Sequence, residues 1–163
     1  MALLPEEINV VSEILDLLRV CNETVSTAES LTAGALSSAI VSVAGASDVF
    51  VGGLTAYCDE IKISHLGVEP NLIHEHTSMS EQVCVAMAKG AMKSFGTTWG
   101  IATTGVAGPE PVGRVAVGAV WIAIEGPICQ SFELSLSGER DSVRNAATAS
   151  AISAFARILR ERN

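Results

Sequence analysis

The chain has 163 residues, of which 48% are apolar and 17% charged, and it carries a net charge of -8. That length suits one domain with a real core, and the apolar content excludes a disordered chain. An acidic balance spread along the sequence removes long-range attraction for phosphate backbones, so no nucleic-acid partner is expected.

The longest uncharged run, Ser30 to Ser47, is too rich in Ser, Thr, Gly and Ala for a membrane span. Pro5, Glu6 and Glu7 stand where a secretion leader would carry cations. Cys21, Cys58, Cys84 and Cys129 are scattered without a CxxC pair, which argues against zinc and for a reduced, cytoplasmic setting. Aromatic residues are 4% of the chain, so the core must be built from Ala, Val, Ile and Leu. Surplus hydrophobicity with so few charges points to a homo-oligomer.

In chain order, Ile8, Val11, Ile14, Leu15 and Leu18 predict an amphipathic helix over residues 5–21. Thr24 to Ala28 reads as a short strand. Leu31, Ala35, Ala39 and Val43 predict a second helix, ended near Gly45. Val49 to Tyr57 is a strand whose Gly52-Gly53 implies a bulge or a close backbone approach. Glu60 to His65 is a short helix stopped by Gly67, and Pro70 to His74 a turn or second short helix. Ser78 followed by Glu81 matches a capping box for a helix reaching Phe95. Trp99 to Val106, Val115 to Ile124 and Cys129 to Leu136 are strands, and a last helix runs from Ser137 to about Arg160. Helices and strands alternate early and strands cluster late. This predicts one α/β domain, a three-layer α/β/α sandwich with a mixed sheet, spanning 1–163.

Three segments carry candidate chemistry. Ser30 lies at a strand-to-helix turn, where a serine is either an N-cap or a nucleophile beside free helix-start amides that stabilise an oxyanion. Lys62, between Ile61 and Ile63, is either a snorkelling surface cation or a buried base for Ser30. Tyr57, five residues earlier, can relay or donate a proton. The small-residue loop Thr104-Gly105-Val106-Ala107-Gly108-Pro109 lets backbone approach a ligand, although a tight turn is its default reading. Arg140 and Arg144, one helical turn apart, fit either a phosphate clamp or a solvated face with Glu139 and Asp141. His65, His74 and His76 lack the spacing of a one-face metal pair, and no metal or cofactor is expected.

Together these motifs resemble the CinA C-terminal domain family. The resemblance rests on Thr27-Ala28-Glu29-Ser30 with Thr32 and Gly34, on Gly52-Gly53 then Tyr57, and on Lys62 before Leu66-Gly67-Val68. Gly105 to Pro109, Val117-Gly118 and Gly138-Glu139-Arg140 leading to Val143-Arg144 complete it. The characterised members are nicotinamide mononucleotide deamidases, so the resemblance implies a compact, usually oligomeric α/β/α domain that hydrolyses the amide of a small nucleotide. Carried over by motif, Ser30 is the nucleophile, Lys62 its base and Tyr57 a supporting proton donor. Thr32, Gly34, Thr104 and Gly105 line the site, and Arg140 or Arg144 meets the phosphate. The chain departs from the family where Leu31 and Ala33 replace Cys and Gly, and where Cys58-Asp59 replaces Ser-Asn. A usual Ser is Thr104 here. The Gly-rich loop after Pro109 is replaced by Glu110-Pro111-Val112-Gly113-Arg114-Val115-Ala116, in which Arg114 can stand in for a lost cation. The altered loop leaves an alternative open: a catalytically silent member that binds a nucleotide-like metabolite or a partner protein.

Overall fold

The computed structural model describes residues 5–162. Its elements are α1 (Pro5–Val20), β1 (Val25–Glu29), α2 (Ala35–Val41), β2 (Phe50–Thr55), α3 (Asp59–Leu66), α4 (Pro70–His76), α5 (Glu81–Phe95), β3 (Trp99–Gly105), β4 (Ala119–Glu125), β5 (Gln130–Ser135) and α6 (Arg140–Arg162). The sheet order is β2-β1-β3-β4-β5. β1 runs parallel to both β2 and β3, whereas β4 runs antiparallel to β3 and to β5. This is the mixed sheet of the α/β sandwich.

Period-two alternation sorts the sheet's side chains to two faces. Ile101, Ile122 and Ile124 join α1, α2 and α6 residues such as Leu18, Leu36 and Phe155 in one core. Ala102 and Ala123 point the other way, toward Met87 and Ala88 of α5 and Leu66 of α3. Small sheet residues bring α5 close. A Cβ at Gly100 would stand 2.2 Å from the carbonyl oxygen of Ala88.

The register between β1 and β2 slips at Val25/Ser26, as the paired glycines of β2 imply. At Gly53 the reason is crowding, since a Cβ there would lie 2.2 Å from Thr27 Oγ1 and 2.5 Å from Ser37 Oγ.

Element ends shift by one to three residues, α6 for instance starting at Arg140 rather than Ser137, and three differences have a clear physical reason. α2 starts at Ala35 rather than near Leu31, because Ser30 to Gly34 form a separate turn ending in a left-handed Gly34 (φ 93). α5 is capped by Ser80, whose hydroxyl accepts from the Val83 N–H, and not by Ser78. β4 begins at Ala119; Val115 instead exchanges backbone hydrogen bonds with Val112 in a small hairpin.

The connection from β1 goes to β2 on one side, and the chain then crosses to β3 on the other. Such a switch in direction opens a crevice at the carboxyl ends of the flanking parallel strands, where ligands bind in open α/β sheets. The turn after β1 and the loop after β3 meet at this crevice.

Candidate active site

The turn after β1 is organised by Glu29, which belongs to the motif but has no assigned role in it. Its side chain is 1% exposed. Its Oε1 accepts from the Ser37 N–H (2.8 Å) and Ser37 Oγ (2.6 Å), and its Oε2 from Thr32 Oγ1 (2.7 Å), Gly34 N–H (2.9 Å) and Leu36 N–H (3.0 Å). A carboxylate at the start of a helix satisfies orphan amides and complements the dipole. The cap of α2 is therefore Glu29, not Ser30. The helix-start amides expected to be free beside Ser30 are occupied by that carboxylate.

The turn is held from behind as well. Arg144 Nε donates to the carbonyl of Leu31 (3.0 Å) and its Nη2 to that of Thr32 (3.1 Å). Thr32 is fully buried, and its hydroxyl also pairs with Thr103 Oγ1 at 2.7 Å. Ser30 continues the sheet through its N–H to the Thr103 carbonyl (2.9 Å).

Beside this turn lies a cavity of about 340 Å³, within the size range of small-ligand sites. Ser30, Tyr57, Lys62, the Gly105 to Gly108 backbone and Arg140 line it, with Asp59, Ser78, Glu110 and Val112. Lys62 is 2% exposed, so its stem is packed rather than snorkelling. Its Nζ lies 3.4 Å from Asp59 Oδ1. The same oxygen accepts a hydrogen bond from Ser78 Oγ. Tyr57 is exposed at the cavity mouth, and its hydroxyl oxygen accepts from Arg140 Nη2 at 2.8 Å. Arg140 Nη1 donates to the Gly108 carbonyl at 2.6 Å, tying α6 to the loop after β3.

The other sequence-derived candidates lie away from the cavity wall. Thr32 and Gly34 bond to Glu29 behind Ser30. Thr104 is fully buried and donates to the Ser78 carbonyl (2.7 Å), so it supports the segment that carries Ser78. Arg144 reaches the back of the turn, because it sits one helical turn beyond Arg140. Arg114 projects from the far side of the Val112–Val115 hairpin, into a separate depression with Glu81, Trp121 and Glu133. Cys84, fully buried beneath the site, donates to the carbonyls of Ala102 and Trp121. Burial pushes its thiol far above the ordinary range, which excludes it as a nucleophile.

The CinA C-terminal domain profile matches residues 7–159. The chain belongs to the CinA C-terminal domain family. It is 46% identical over 117 residues to a CinA-like protein of Prochlorococcus marinus, covering 71% of this chain and 27% of that protein. It is 39% identical over 152 residues to a CinA-like protein of Kosmotoga olearia, covering 90% of this chain and 36% of that one. The CinA domain thus spans about a third of the length of such curated relatives. Among solved structures, the competence/damage inducible protein CihA from Agrobacterium tumefaciens superposes with a TM-score of 0.91 at 28% identity, covering 98% of this chain and 99% of that one. A CinA superfamily protein from Escherichia coli gives 0.89 at 25% identity, covering 98% and 94%.

Three residues of this CinA domain's site had no site role assigned from sequence: Glu29, Asp59 and Ser78. The first had a usable signal. An acid ending a wholly apolar or hydroxyl-bearing strand, before a helix without a side-chain cap of its own, has to be satisfied by that helix. Asp59 and Ser78 had none, because their partnership joins two segments nineteen positions apart.

Proposed function

We propose that this domain is an amidohydrolase acting on nicotinamide mononucleotide, releasing nicotinic acid mononucleotide and ammonia. One observation carries the reading: Ser30, Tyr57 and buried Lys62, from three separate segments, face a single cavity of ligand size. A serine hydroxyl and a lysine amine can serve as nucleophile and base in acyl transfer.

The chemistry runs in two halves. Ser30 Oγ attacks the amide carbon while Lys62 Nζ, entering the step as the neutral amine, takes its proton. The C–N bond then breaks, and the departing nitrogen receives the proton held by Lys62, directly or through Tyr57, which Lys62 then reprotonates, to leave as ammonia. Arg140 donates to the Tyr57 oxygen, so the phenol's own proton is free to be given away. Water next attacks the resulting ester, Lys62 takes its proton, and cleavage of the C–O bond returns that proton to Ser30. Arg140 supplies the cation for the substrate phosphate.

A second reading, a silent member that binds a nucleotide-like metabolite, is favoured by one observation: Glu110 and Val112 of the altered loop form part of the cavity wall. Ammonia release from nicotinamide mononucleotide by the purified protein separates the two. The amidase reading expects release that falls at least about 1000-fold in Ser30→Ala and in Lys62→Ala. Absence of release with ligand-dependent thermal stabilisation retained selects the binding reading.

A further inference from the structure

Lys62 and Asp59 are three residues apart at the start of α3, a spacing that on most helices gives a solvated ion pair of little consequence. This pair is built differently. The Lys62 side chain is 2% exposed and that of Asp59 46% exposed. The amine is enclosed, and the carboxylate closes it off at the cavity wall. The carboxylate is itself fixed from outside the helix. Ser78 Oγ donates to the same Oδ1 that Lys62 contacts. Ser78 in turn is held by Thr104 Oγ1, which donates to its carbonyl at 2.7 Å. The backbone turns at Thr77 with φ 72, a conformation costly for a β-branched residue and retained where surrounding structure enforces it. Ser78, itself held by β3 beside a strained turn, thus meets the buried amine at one carboxylate oxygen.

We propose that Asp59, held by Ser78, is a positioning residue that fixes the Lys62 amine in the cavity that Ser30 also lines. The inference rests on the amidohydrolase reading for its kinetic consequence and on the geometry alone for its structural one. A lysine has four rotatable side-chain bonds, and misplacement by about 1 Å is enough to cost on the order of 100-fold in rate. A single acceptor held from a second segment removes that freedom. Only an acceptor oxygen is required, so an amide can replace the carboxylate.

The test uses the full chain with Asp59→Ala, Asp59→Asn and Ser78→Ala. With nicotinamide mononucleotide as substrate, Asp59→Ala is expected to lower kcat about 10- to 100-fold with KM little changed. Asp59→Asn is expected to recover most of that loss, and Ser78→Ala to fall between. Thermal midpoints of Asp59→Asn and Ser78→Ala stay close to wild type; Asp59→Ala leaves the enclosed amine without its acceptor and lowers the midpoint too, so its kcat is read well below that midpoint, where a merely structural role would leave kcat alone. A second measurement needs no turnover. The rate at which Lys62 reacts with trinitrobenzenesulfonate, read by peptide mass spectrometry, is expected to rise several-fold, about 3- to 10-fold, in Asp59→Ala as the amine gains freedom, and to stay near wild type in Asp59→Asn. If wild type releases no ammonia but this labelling pattern holds, the amidase reading falls and the positioning role stands. Wild-type labelling of Lys62 in Asp59→Ala, or equal damage in the alanine and asparagine variants, would overturn the proposal.

Discussion

Replacing Glu29 by glutamine exchanges one carboxylate oxygen for an amide nitrogen and tests how the Ser30 turn is built. The carboxylate accepts five hydrogen bonds, three of them from backbone amides. In Glu29→Gln one end becomes a donor facing donors. Set toward Ser37, it strands that residue's N–H, while the Ser37 hydroxyl can rotate to accept. Set the other way, it strands both Gly34 and Leu36. The first arrangement is cheaper, and one stranded amide costs about 1–3 kcal/mol. For a domain of this size that lowers Tm by about 2–12 °C. Glu29→Ala strands all three amides. Gly34 and Ser37 are half-buried and recover part of the loss from water, which leaves a cost of about 3–5 kcal/mol. Thermal unfolding followed by circular dichroism, with urea titration at constant m, measures both. A Tm within about 1 °C of wild type for Glu29→Gln would refute the claim that this carboxylate organises the turn.

Other consequences are open to simpler checks. Gly53→Val drives a side chain into Thr27 and Ser37, and is expected to destabilise the fold by about 1–3 kcal/mol in urea melts. Arg144→Lys cannot reproduce two donors aimed at the Leu31 and Thr32 carbonyls, so kcat for ammonia release should fall nearly as far as in Arg144→Ala. Burial pushes the Glu23 carboxyl up, but donors from Arg162 and Trp99 pull it below its ordinary range overall. The unfolded chain then binds the proton first as pH falls. Glu23 therefore contributes stability that is present above the ordinary carboxylate range and is lost as pH drops through its lower folded value. In Glu23→Gln the decline of Tm between about pH 5 and pH 3 should be shallower than in wild type, and an unchanged slope would contradict the assignment.

The order of elements was legible because hydrophobic period reports which face is buried, and each face here is built from one kind of packing. Ile101 against Ala102, and Ile122 against Ala123, show that alternation within buried strands. The ends of elements were less legible. Ser78 and Ser80 both stand ahead of α5 and both fit a cap by local pattern; the choice is made by a bond from Ser78 to Asp59 that no local rule contains. Arg140 and Arg144 of α6 look equivalent in sequence, yet one turn of helix separates a group at the cavity from one that pins the back of the Ser30 turn. Arg114 depended on which way a four-residue hairpin faces, a matter of tertiary packing. Ser30, Tyr57 and Lys62 were selected by chemistry and family resemblance, and only the folded chain brings them to one cavity.

The measurement closest to the central claim is rapid quenching of the protein with nicotinamide mononucleotide, followed by peptide mass spectrometry. An acyl adduct is expected on the peptide carrying Ser30, formed as ammonia is released, decaying to nicotinic acid mononucleotide and absent in Ser30→Ala. Full amide hydrolysis by Ser30→Ala, with no adduct on the wild-type peptide, would contradict that claim.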